Sequence, residues 1–366
     1  MNSSPALSQT PAALGYRMPA EWEPHQATWI AWPHNREDWP GKFQGISWIY
    51  AEIVRNLARH ERVHILVNDA AAEAKARQVL ERSQALSGDV HFHQWPTDRV
   101  WTRDSGPIFV TRRNVNDPVA VLNWRFNAWA KYPNWQKDDA LPGLVAAHSR
   151  LPIWEPQVEA GGSRRRVVLE GGSIDLNGCG AMLTTEECLL SKVQARNPGV
   201  SREQLEQIFA DYLAVKKVIW LDRGIAGDDT HGHVDDIARF VAPNRVVAAV
   251  ETNRDDDNYE ALQQNLRQLK NSTDQDGRPL EVVELPMPAP VIFRGQRLPA
   301  SYANFYIANN LVLAPTFSDP NDRHALNVLA DLFPDRQIVG IYCRDFIWGL
   351  GAIHCMTQQQ PKADLP

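Results

Sequence analysis

Residues 227–236, GDDTHGHVDD, concentrate groups that could do chemistry in one short loop. Two histidines, His231 and His233, are followed by the carboxylates Asp235 and Asp236. Alternate residues of an extended segment point to one face, so His231, His233 and Asp235 could converge on one ligand. Such a set could bind a metal ion, or it could supply acids and bases without one.

The zinc interpretation rests on a likeness to the T-H-x-H-x-D-H pattern of the metallo-β-lactamase-like hydrolases. That pattern needs further histidines downstream, but only His324 and His354 follow, and Asp236 stands where the last histidine of the motif would be. A zinc metallohydrolase is therefore kept as the alternative from another class of enzyme. A solvated turn ordered by its own carboxylates is the plainer alternative for an isolated loop.

A second candidate group is Cys355, in the segment WGLGAIHCMTQQQP. Gly349 and Gly351 permit a close backbone approach, and His354 directly precedes the thiol. A single cysteine near the end of a chain is more often a buried apolar residue than a nucleophile. Other motifs must therefore decide its role.

Composition excludes several classes of function. The chain has 366 residues with 43% hydrophobic and 22% charged residues, a net charge of -6 and a pI of about 6.0. It carries no long basic run, signal-peptide pattern or apolar span, so we expect neither a nucleic acid nor a membrane as partner. The four cysteines show no CxxC spacing, which favours reduced thiols and a cytoplasmic protein.

The elements that must position these groups alternate between helical and strand patterns, which predicts an α/β protein with many short strands. Helices are predicted around 46–57 and over 70–86, 201–215, 258–270 and 321–333. Strands are predicted over 63–69, 90–95, 107–112, 119–124, 166–170, 181–185, 218–221, 245–250, 281–285, 310–315 and 337–342. Residues 1–17 are rich in Ser, Pro and Ala and predict a flexible tail, and no linker divides 18–366, which predicts a single domain.

Five motifs in order resemble those of the agmatine deiminases: WTRDSGP, LEGGSID, GHVDD followed by ARFV, SYANFYIANN and GAIHCMTQQQP. That family belongs to the guanidine-modifying (pentein) superfamily, which also includes arginine deiminases and bacterial peptidyl-arginine deiminases. The likeness runs from about Met18 to Pro361. It implies a five-bladed α/β propeller of ββαβ units around a central active site, where the separated motifs would meet.

The resemblance also implies the chemistry. A guanidinium is a planar, resonance-stabilised cation, and carboxylates can hold it in plane through paired N–H contacts. By resemblance, Asp104 and Asp235 hold the guanidinium and Cys355 attacks its carbon. His233 then carries protons, and Glu170 orients His233. No metal and no cofactor is implied.

At the other end of the substrate, Trp101 would pack on the alkyl chain and Asp229 would receive a terminal ammonium group. The implied substrate is the small cationic guanidine agmatine, converted to N-carbamoylputrescine and ammonia in putrescine and polyamine biosynthesis. A peptidyl-arginine or free-arginine deiminase is the alternative within the class; it needs a cation for the α-carboxylate, with Arg103, Arg125 or Arg344 as candidates. A guanidinium-binding protein without catalysis is a third possibility, and a homodimer is the commonest assembly.

This chain departs from the family pattern at several positions. Where the family has NGHVDN and GGGNIHC, His231 and Asp236 replace asparagines, Leu350 replaces a glycine and Ala352 another asparagine. The segment FNAWAKY has alanine where the family tends to have glycine. None of these positions is one of the five assigned to chemistry, so the sequence predicts the reaction class more firmly than the substrate.

Overall fold

The computed structural model describes residues 9–86, 88–113 and 118–363. The strands are β1 His25–Ala31, β2 Arg62–Leu66, β3 Val90–His93, β4 Ile108–Thr111, β5 Val119–Leu122, β6 Ile153–Trp154, β7 Gln157–Ala160, β8 Ser163–Arg166, β9 Asp175–Leu176, β10 Ala181–Thr185, β11 Lys217–Leu221, β12 Ala238–Ala242, β13 Arg245–Val250, β14 Glu281–Pro286, β15 Ile292–Phe293, β16 Gln296–Arg297, β17 Tyr306–Ala308, β18 Leu311–Thr316, β19 Gln337–Tyr342 and β20 Gln358–Pro361.

The α-helices are α1 Phe43–Leu57, α2 Ala70–Arg82, α3 Thr102–Ser105, α4 Gln136–Asp139, α5 Leu141–Ser149, α6 Glu186–Leu190, α7 Arg202–Leu213, α8 Tyr259–Lys270 and α9 Asn321–Leu332. Short 3-10 helices cover Ala12–Leu14, Arg36–Asp38, Ala128–Ala130, Gly171–Ser173, Val234–Asp236 and Phe346–Gly349.

One strand arrangement recurs five times in the described part of the chain. The sheets are β20-β1-β2-β3, β4-β5-β6, β9-β10-β11, β12-β13-β14 and β17-β18-β19. In each, the first strand is antiparallel to the second, and the second is parallel to the third after a helical crossover. A parallel neighbour requires such a crossover, so each unit is ββαβ. The predicted α/β class is therefore confirmed.

The local sequence explains the crossover helices. Helix α7 begins with a capping box, in which Ser201 accepts from the backbone N–H of Gln204 and the Gln204 side chain accepts from the backbone of Ser201. Helix α2 begins at Asp69, whose carboxylate accepts from the Ala72 N–H. Each helix buries one apolar face against strands that are buried along most of their length.

Most predicted elements are confirmed to within a few residues at their ends, but the predicted strand over 166–170 is wrong. Val167 and Val168 are buried, yet Val168 makes only an isolated bridge with Arg125, and the chain turns into a 3-10 helix after Glu170. The apolar run thus reflects core packing in a loop.

The predicted tail boundary also differs from the structure. A 3-10 turn over Ala12–Leu14 precedes Tyr16, which is buried against Trp154, and Arg17 pairs with Thr111. Packed structure therefore begins before Met18. The first eight residues of the predicted tail lie outside the described residues, and the single domain stays a prediction.

Apolar side chains pack in three clusters, of which the largest joins the first sheet to the fifth. Within the described chain, no helix combines the length and the apolar character that crossing a membrane requires.

Candidate active site

In each of the five ββαβ units, the turn immediately before the first strand contributes at least one polar group to a common site. These groups are Asp104 before β4, Glu170 before β9, His233 and Asp235 before β12, Asn304 before β17 and Cys355 before β20. All of them are buried, the most exposed being Cys355 at 6%. One site thus draws on five separate parts of the chain.

Gly172 reveals how closely these groups converge. A Cβ atom placed on Gly172 would lie 2.6 Å from His233 Nδ1, 2.7 Å from Asp104 Oδ1 and 3.1 Å from Asp235 Oδ2. No side chain fits there, so the second glycine of LEGGSID is required to bring the three groups around one point. The structure therefore brings together residues that are far apart in sequence.

Asp104 is fixed from two sides. Trp129 Nε1 donates to Oδ2 at 2.9 Å, and the Gly172 N–H donates to Oδ1 at 3.1 Å. Burial raises the pKa of Asp104 to about 6, with further repulsion from Asp235 and Glu170, while His233 acts in the opposite direction. Asp104 is thus a carboxylate at neutral pH that protonates more readily than an exposed aspartate.

His233 lies between two carboxylates. Its Nδ1 is 3.7 Å from Asp104 Oδ1 and its Nε2 is 3.9 Å from Glu170 Oε2, and neither nitrogen has a hydrogen-bond partner. Burial alone would lower the pKa of His233, but Asp104 and Glu170, together with the buried thiol of Cys188, raise it well above its ordinary value. The imidazole is therefore poised to hold a proton.

Glu170 is held ionised beside this histidine. Arg196 Nε donates to its Oε1 at 3.0 Å. Burial would raise the pKa of Glu170, yet the guanidinium of Arg196 and the neighbouring His233 lower it to about 2. A permanent negative charge thus faces His233, which suits an orienting role for Glu170.

Asp235 is hydrogen-bonded to His354, a histidine to which the sequence analysis assigned no role. His354 Nδ1 lies 2.7 Å from Asp235 Oδ2, and His354 Nε2 lies 2.8 Å from Glu21 Oε2. Burial would raise the pKa of Asp235, but the hydrogen bond and charge of His354 lower it. Glu21 also receives the guanidinium groups of Arg103 and Arg239, at 3.3 and 3.0 Å.

The thiol of Cys355 lies beside these carboxylates, with Sγ 3.7 Å from Asp235 Oδ2. Burial raises the pKa of Cys355 well above its ordinary value, and Asp235, Asp236 and Asp104 raise it further. Asn304 Nδ2 donates to Sγ at 3.1 Å. The free protein therefore holds a protonated thiol, which an arriving cation would acidify.

A cavity of about 440 Å³ opens onto this site. Asp104 and Cys355 line it, whereas His233, Asp235 and Glu170 are not part of its wall. Trp101 also lines the cavity, packed against Trp39 and against the Cα of Gly351, where a Cβ would lie 2.7 Å from its ring.

Asp229 lines the same cavity nearer its mouth. Its carboxylate accepts from Tyr132 Oη at 2.7 Å and forms an ion pair with Lys131. A cationic group on a ligand in the cavity could therefore reach Asp229, but Lys131 already forms an ion pair with this carboxylate.

Another acid in the wall, Asp38, was not singled out from the sequence. Its Oδ1 accepts from Asn35 Nδ2 at 2.9 Å, while its buried Oδ2 has no hydrogen-bond partner among the described residues. Burial raises the pKa of Asp38 to about 6. The sequence REDW offered no distinguishing signal for it.

The two histidines of the opening loop have different surroundings. His231 faces Ser191 at 3.2 Å and Glu187 at 3.9 Å, whereas His233 faces the buried carboxylates. Among the described residues, the one set with metal-ligand spacing consists of Glu170, Cys188 and His233. Of these three residues, only His233 belongs to the loop 227–236. The loop residues His231, His233 and Asp235 therefore do not form the metal site that THGHVDD suggested.

Some of the departures from the family pattern, but not Asp236 or Ala352, coincide with unusual backbone conformations. His231 and Leu350 have φ values of 64° and 68°, and Ala128, Trp129 and Ala130 have φ values of 49°, 58° and 54°. Glycine and asparagine adopt this left-handed region most readily, which explains the family's residues at these positions. The segment FNAWAKY is strained here, and it positions Trp129 against Asp104.

The chain is similar to one class of protein, the hydrolases that act on the C–N bonds of amidino groups. The sequence model of the Porphyromonas-type peptidyl-arginine deiminase family matches residues 17–361. The chain belongs to that family.

Relatives with assigned names cover nearly the whole chain. An agmatine deiminase of Pseudomonas aeruginosa (strain LESB58) is 37% identical over 97% of this chain and 98% of its own length. The solved structure of the agmatine deiminase of Enterococcus faecalis has a TM-score of 0.88 and 31% identity, covering 99% of this chain and 100% of its own. A C. jejuni agmatine deiminase with a cysteine replaced by serine and with substrate bound has a TM-score of 0.82 and 27% identity, covering 95% and 97%.

Proposed function

We propose that the protein is an agmatine deiminase, which hydrolyses agmatine to N-carbamoylputrescine and ammonia without a metal. The observation that carries this proposal is a pair of buried carboxylate oxygens, Asp235 Oδ1 and Glu170 Oε2, that have no hydrogen-bond partner among the described residues. Buried acceptors left unpaired cost free energy, and a guanidinium supplies the N–H donors that they lack. The assignment agrees with the agmatine deiminases among its relatives.

Binding is proposed to begin at Asp104, which the cavity reaches, and to extend to Asp235 next to Cys355. Carboxylates accept guanidinium N–H groups in paired contacts, which would hold the guanidinium plane and present its carbon to Sγ. Asp235 is not part of the cavity wall in the free protein, so we propose that the side chains around Cys355 shift slightly when substrate enters.

The first chemical step forms a bond between Cys355 Sγ and the guanidinium carbon. The bound cation lowers the pKa of the thiol, which releases its proton to solvent, and the thiolate attacks to give a neutral tetrahedral intermediate. The C–N bond to one terminal nitrogen then breaks, and His233 gives that nitrogen a proton so that it leaves as ammonia. An amidino-thioether remains on Cys355.

In the second step, His233 acts as a base instead of an acid. His233 takes a proton from a water molecule, the water oxygen bonds to the same carbon, and the C–S bond breaks to restore the thiolate. The second proton of that water is released to solvent as the C–O bond becomes the carbonyl of the product. The product is a urea, N-carbamoylputrescine. Glu170, kept ionised by Arg196, stabilises the protonated form of His233 in both steps.

The alkyl chain and the ammonium group of agmatine are proposed to occupy the outer cavity. Trp101 offers an apolar face to the methylene groups, and Asp229 receives the ammonium in exchange for Lys131. Asp38 is a second acceptor for that ammonium, because its Oδ2 lacks a partner. Acidic groups at both ends of the cavity suit a substrate with two positive charges.

The arginines considered for an α-carboxylate have other partners. Arg103 is buried against Glu21 and Gln359, Arg125 stacks on Trp135, and Arg344 donates to a backbone carbonyl. None of the three lines the cavity, although Arg99 lies in its wall. This arrangement favours agmatine over free or peptidyl arginine.

We also propose that the five ββαβ units close into a five-bladed propeller around the site. Support comes from the pairing of β1 with β20, which joins the beginning and the end of the chain in one sheet, and from the position of each site residue before a first strand. The four free cysteines support a cytoplasmic enzyme. We propose a role in putrescine and polyamine formation, no nucleic-acid or membrane partner, and a homodimer.

Ammonia release from agmatine and from arginine tests the proposal, together with mass spectrometry of the acid-quenched enzyme. We expect turnover of agmatine, little of arginine, and an amidino adduct on the peptide that contains Cys355. Cys355→Ser should lower turnover on the order of a thousandfold or more. Cys179→Ser, at the exposed cysteine, should leave it unchanged.

Equal or faster turnover of arginine would sink the agmatine assignment. Activity that survives Cys355→Ser but disappears with a chelator would establish the zinc hydrolase instead. Binding of agmatine without release of ammonia would indicate a binding protein.

A further inference from the structure

Asn304 lies at the centre of the loop that carries the nucleophile. It is fully buried, in the SYANFY segment immediately before β17. Like the other site residues, it lies in the turn before the first strand of its ββαβ unit, here the fifth unit. The reaction steps above do not use it.

The contacts of Asn304 fix which way its amide points. Its Oδ1 accepts from the backbone N–H of His354 at 3.0 Å and of Cys355 at 3.3 Å. Two backbone donors on one atom identify that atom as the oxygen. The NH₂ group must therefore face the opposite side, where it donates to Cys355 Sγ at 3.1 Å and to Asp236 Oδ1 at 2.9 Å.

A hydrogen-bond donor at Sγ offsets the effect of the carboxyl groups around the sulfur. The charged groups that act on the sulfur are the carboxyls of Asp235, Asp236 and Asp104, which all oppose a thiolate. The cationic substrate offsets them only once it is bound. An N–H aimed at the sulfur favours the thiolate in both the free and the bound states, and again when the thiolate leaves in the second step.

Asp236 holds the other hydrogen of the same amide. Its backbone carbonyl also accepts from Ser301 Oγ at 2.7 Å, so the HVDD and SYAN segments are joined twice. Burial raises the pKa of Asp236 well above its ordinary value, as do Asp235 and Asp228, while His233 acts against them.

We propose that Asn304 is a further catalytic residue, which donates a hydrogen bond to the Cys355 thiolate, and that Asp236 is a positioning residue that acts on the sulfur through Asn304. This inference rests on the proposed function, because it assigns both residues to the same thiol chemistry. It also gives a role to Asp236, one of the positions at which this chain departs from its family.

Alkylation of Cys355 by iodoacetamide tests the proposal without any substrate. The reagent forms a thioether with the thiolate and releases iodide, so its rate against pH follows ionisation of the thiol. The rate is read by mass spectrometry of the peptide that contains Cys355, which separates it from the exposed Cys179. Wild type, Asn304→Ala and Asp236→Asn are compared over pH 6–11.

We expect Asn304→Ala to move the alkylation profile upward by about one pH unit, which is about a tenfold slower reaction on the rising limb. Asp236→Asn keeps an acceptor for the amide and removes the acid, so its profile should move downward. In turnover of agmatine, Asn304→Ala should lower kcat more than it raises KM.

An unchanged profile in folded Asn304→Ala would overturn the proposal. So would faster alkylation at every pH without a shift, since that pattern indicates only a loosened loop. If Asn304→Ala does not fold, Asp236→Ala decides, because it removes the acid as Asp236→Asn does and also removes the acceptor that holds the Asn304 amide. A profile for Asp236→Ala that coincides with that of Asp236→Asn, instead of lying above it, overturns the proposal. Because these outcomes need no agmatine, they stay distinct from a failure of the proposed function, which would appear as absence of ammonia release by wild type.

Discussion

The carboxylates of this site differ although all are buried. Burial raises the pKa of Asp104 to about 6, whereas Arg196 and His233 hold that of Glu170 at about 2 despite burial. The difference follows from the partner: Glu170 has a guanidinium at 3.0 Å, whereas the hydrogen bonds to Asp104 come from an indole N–H and a backbone N–H. Asp104 is consequently free to receive an external cation.

The raised pKa of Asp104 predicts an acid limit to catalysis. Asp104 binds a guanidinium only as a carboxylate, so the competent fraction of free enzyme falls as the pH drops through about 6. We expect kcat/KM for agmatine to be level above that pH and to fall about tenfold for each unit well below it. Asp104→Asn should lose at least about a hundredfold in kcat/KM.

Asp38 provides the control for this prediction, since its pKa also lies at about 6 and it lines the same cavity. The acid limb should persist in Asp38→Asn if Asp104 is the group that titrates. A profile that stays level to pH 5 in wild type would contradict the assignment to Asp104.

At the scale of elements, the turns before the first strands do the positioning. They are short: α3 has four residues, and the 3-10 helices Gly171–Ser173 and Val234–Asp236 have three each. Short rigid turns anchored on buried strands hold a side chain more firmly than a long loop would. Two other segments near the site depart from ordinary backbone conformation, at Leu350 and at Ala128–Ala130.

Gly172 allows a direct test of the turn before β9. An alanine there would place a methyl group 2.6 Å from His233 Nδ1 and 2.7 Å from Asp104 Oδ1. We expect Gly172→Ala to lower kcat/KM at least about a hundredfold by displacing both groups, a loss of about 3 kcal/mol in transition-state stabilisation. Steady-state kinetics, with circular dichroism to confirm folding, measures the effect.

Gly45→Ala is the matched control, because a Cβ on Gly45 in helix α1 meets nothing within 4 Å. It should preserve activity and raise the free energy of unfolding by about 0.5–1 kcal/mol. Retention of activity in Gly172→Ala would show that the three groups do not need to converge as closely as they do here.

At the scale of the whole molecule, the first sheet joins the two ends of the chain. Strand β1 pairs with β2 on one side and with β20 on the other. Gln360 accepts from Trp29 Nε1 at 2.9 Å, and Gln359 accepts from Arg103 Nη1 at 2.7 Å. The strand that completes this sheet begins three residues after Cys355, so assembly of the site and closure of the chain are coupled.

Deletion of residues 358–366 should therefore cost both stability and activity. The truncated chain loses its pairing with β1 and the anchor of the Cys355 loop, and we expect a lowered melting temperature and no ammonia release. Removal of residues 1–8 affects none of the described contacts and is the control. Thermal unfolding by circular dichroism compares the two, and an unaltered melting temperature for the shorter C-terminus would refute the coupling.

The sequence by itself determined the α/β class and most helices and strands, and its separated motifs predicted which residues react. It failed where local pattern and tertiary role differ: QQQP is polar but forms buried β20, and the apolar stretch 166–170 is mostly a loop. Only the tertiary structure decided that His354 and Glu21 support Asp235 and that Asn304 contacts Sγ. The physical reason is that these contacts join residues 50 or more positions apart, and long-range packing leaves no trace in local periodicity.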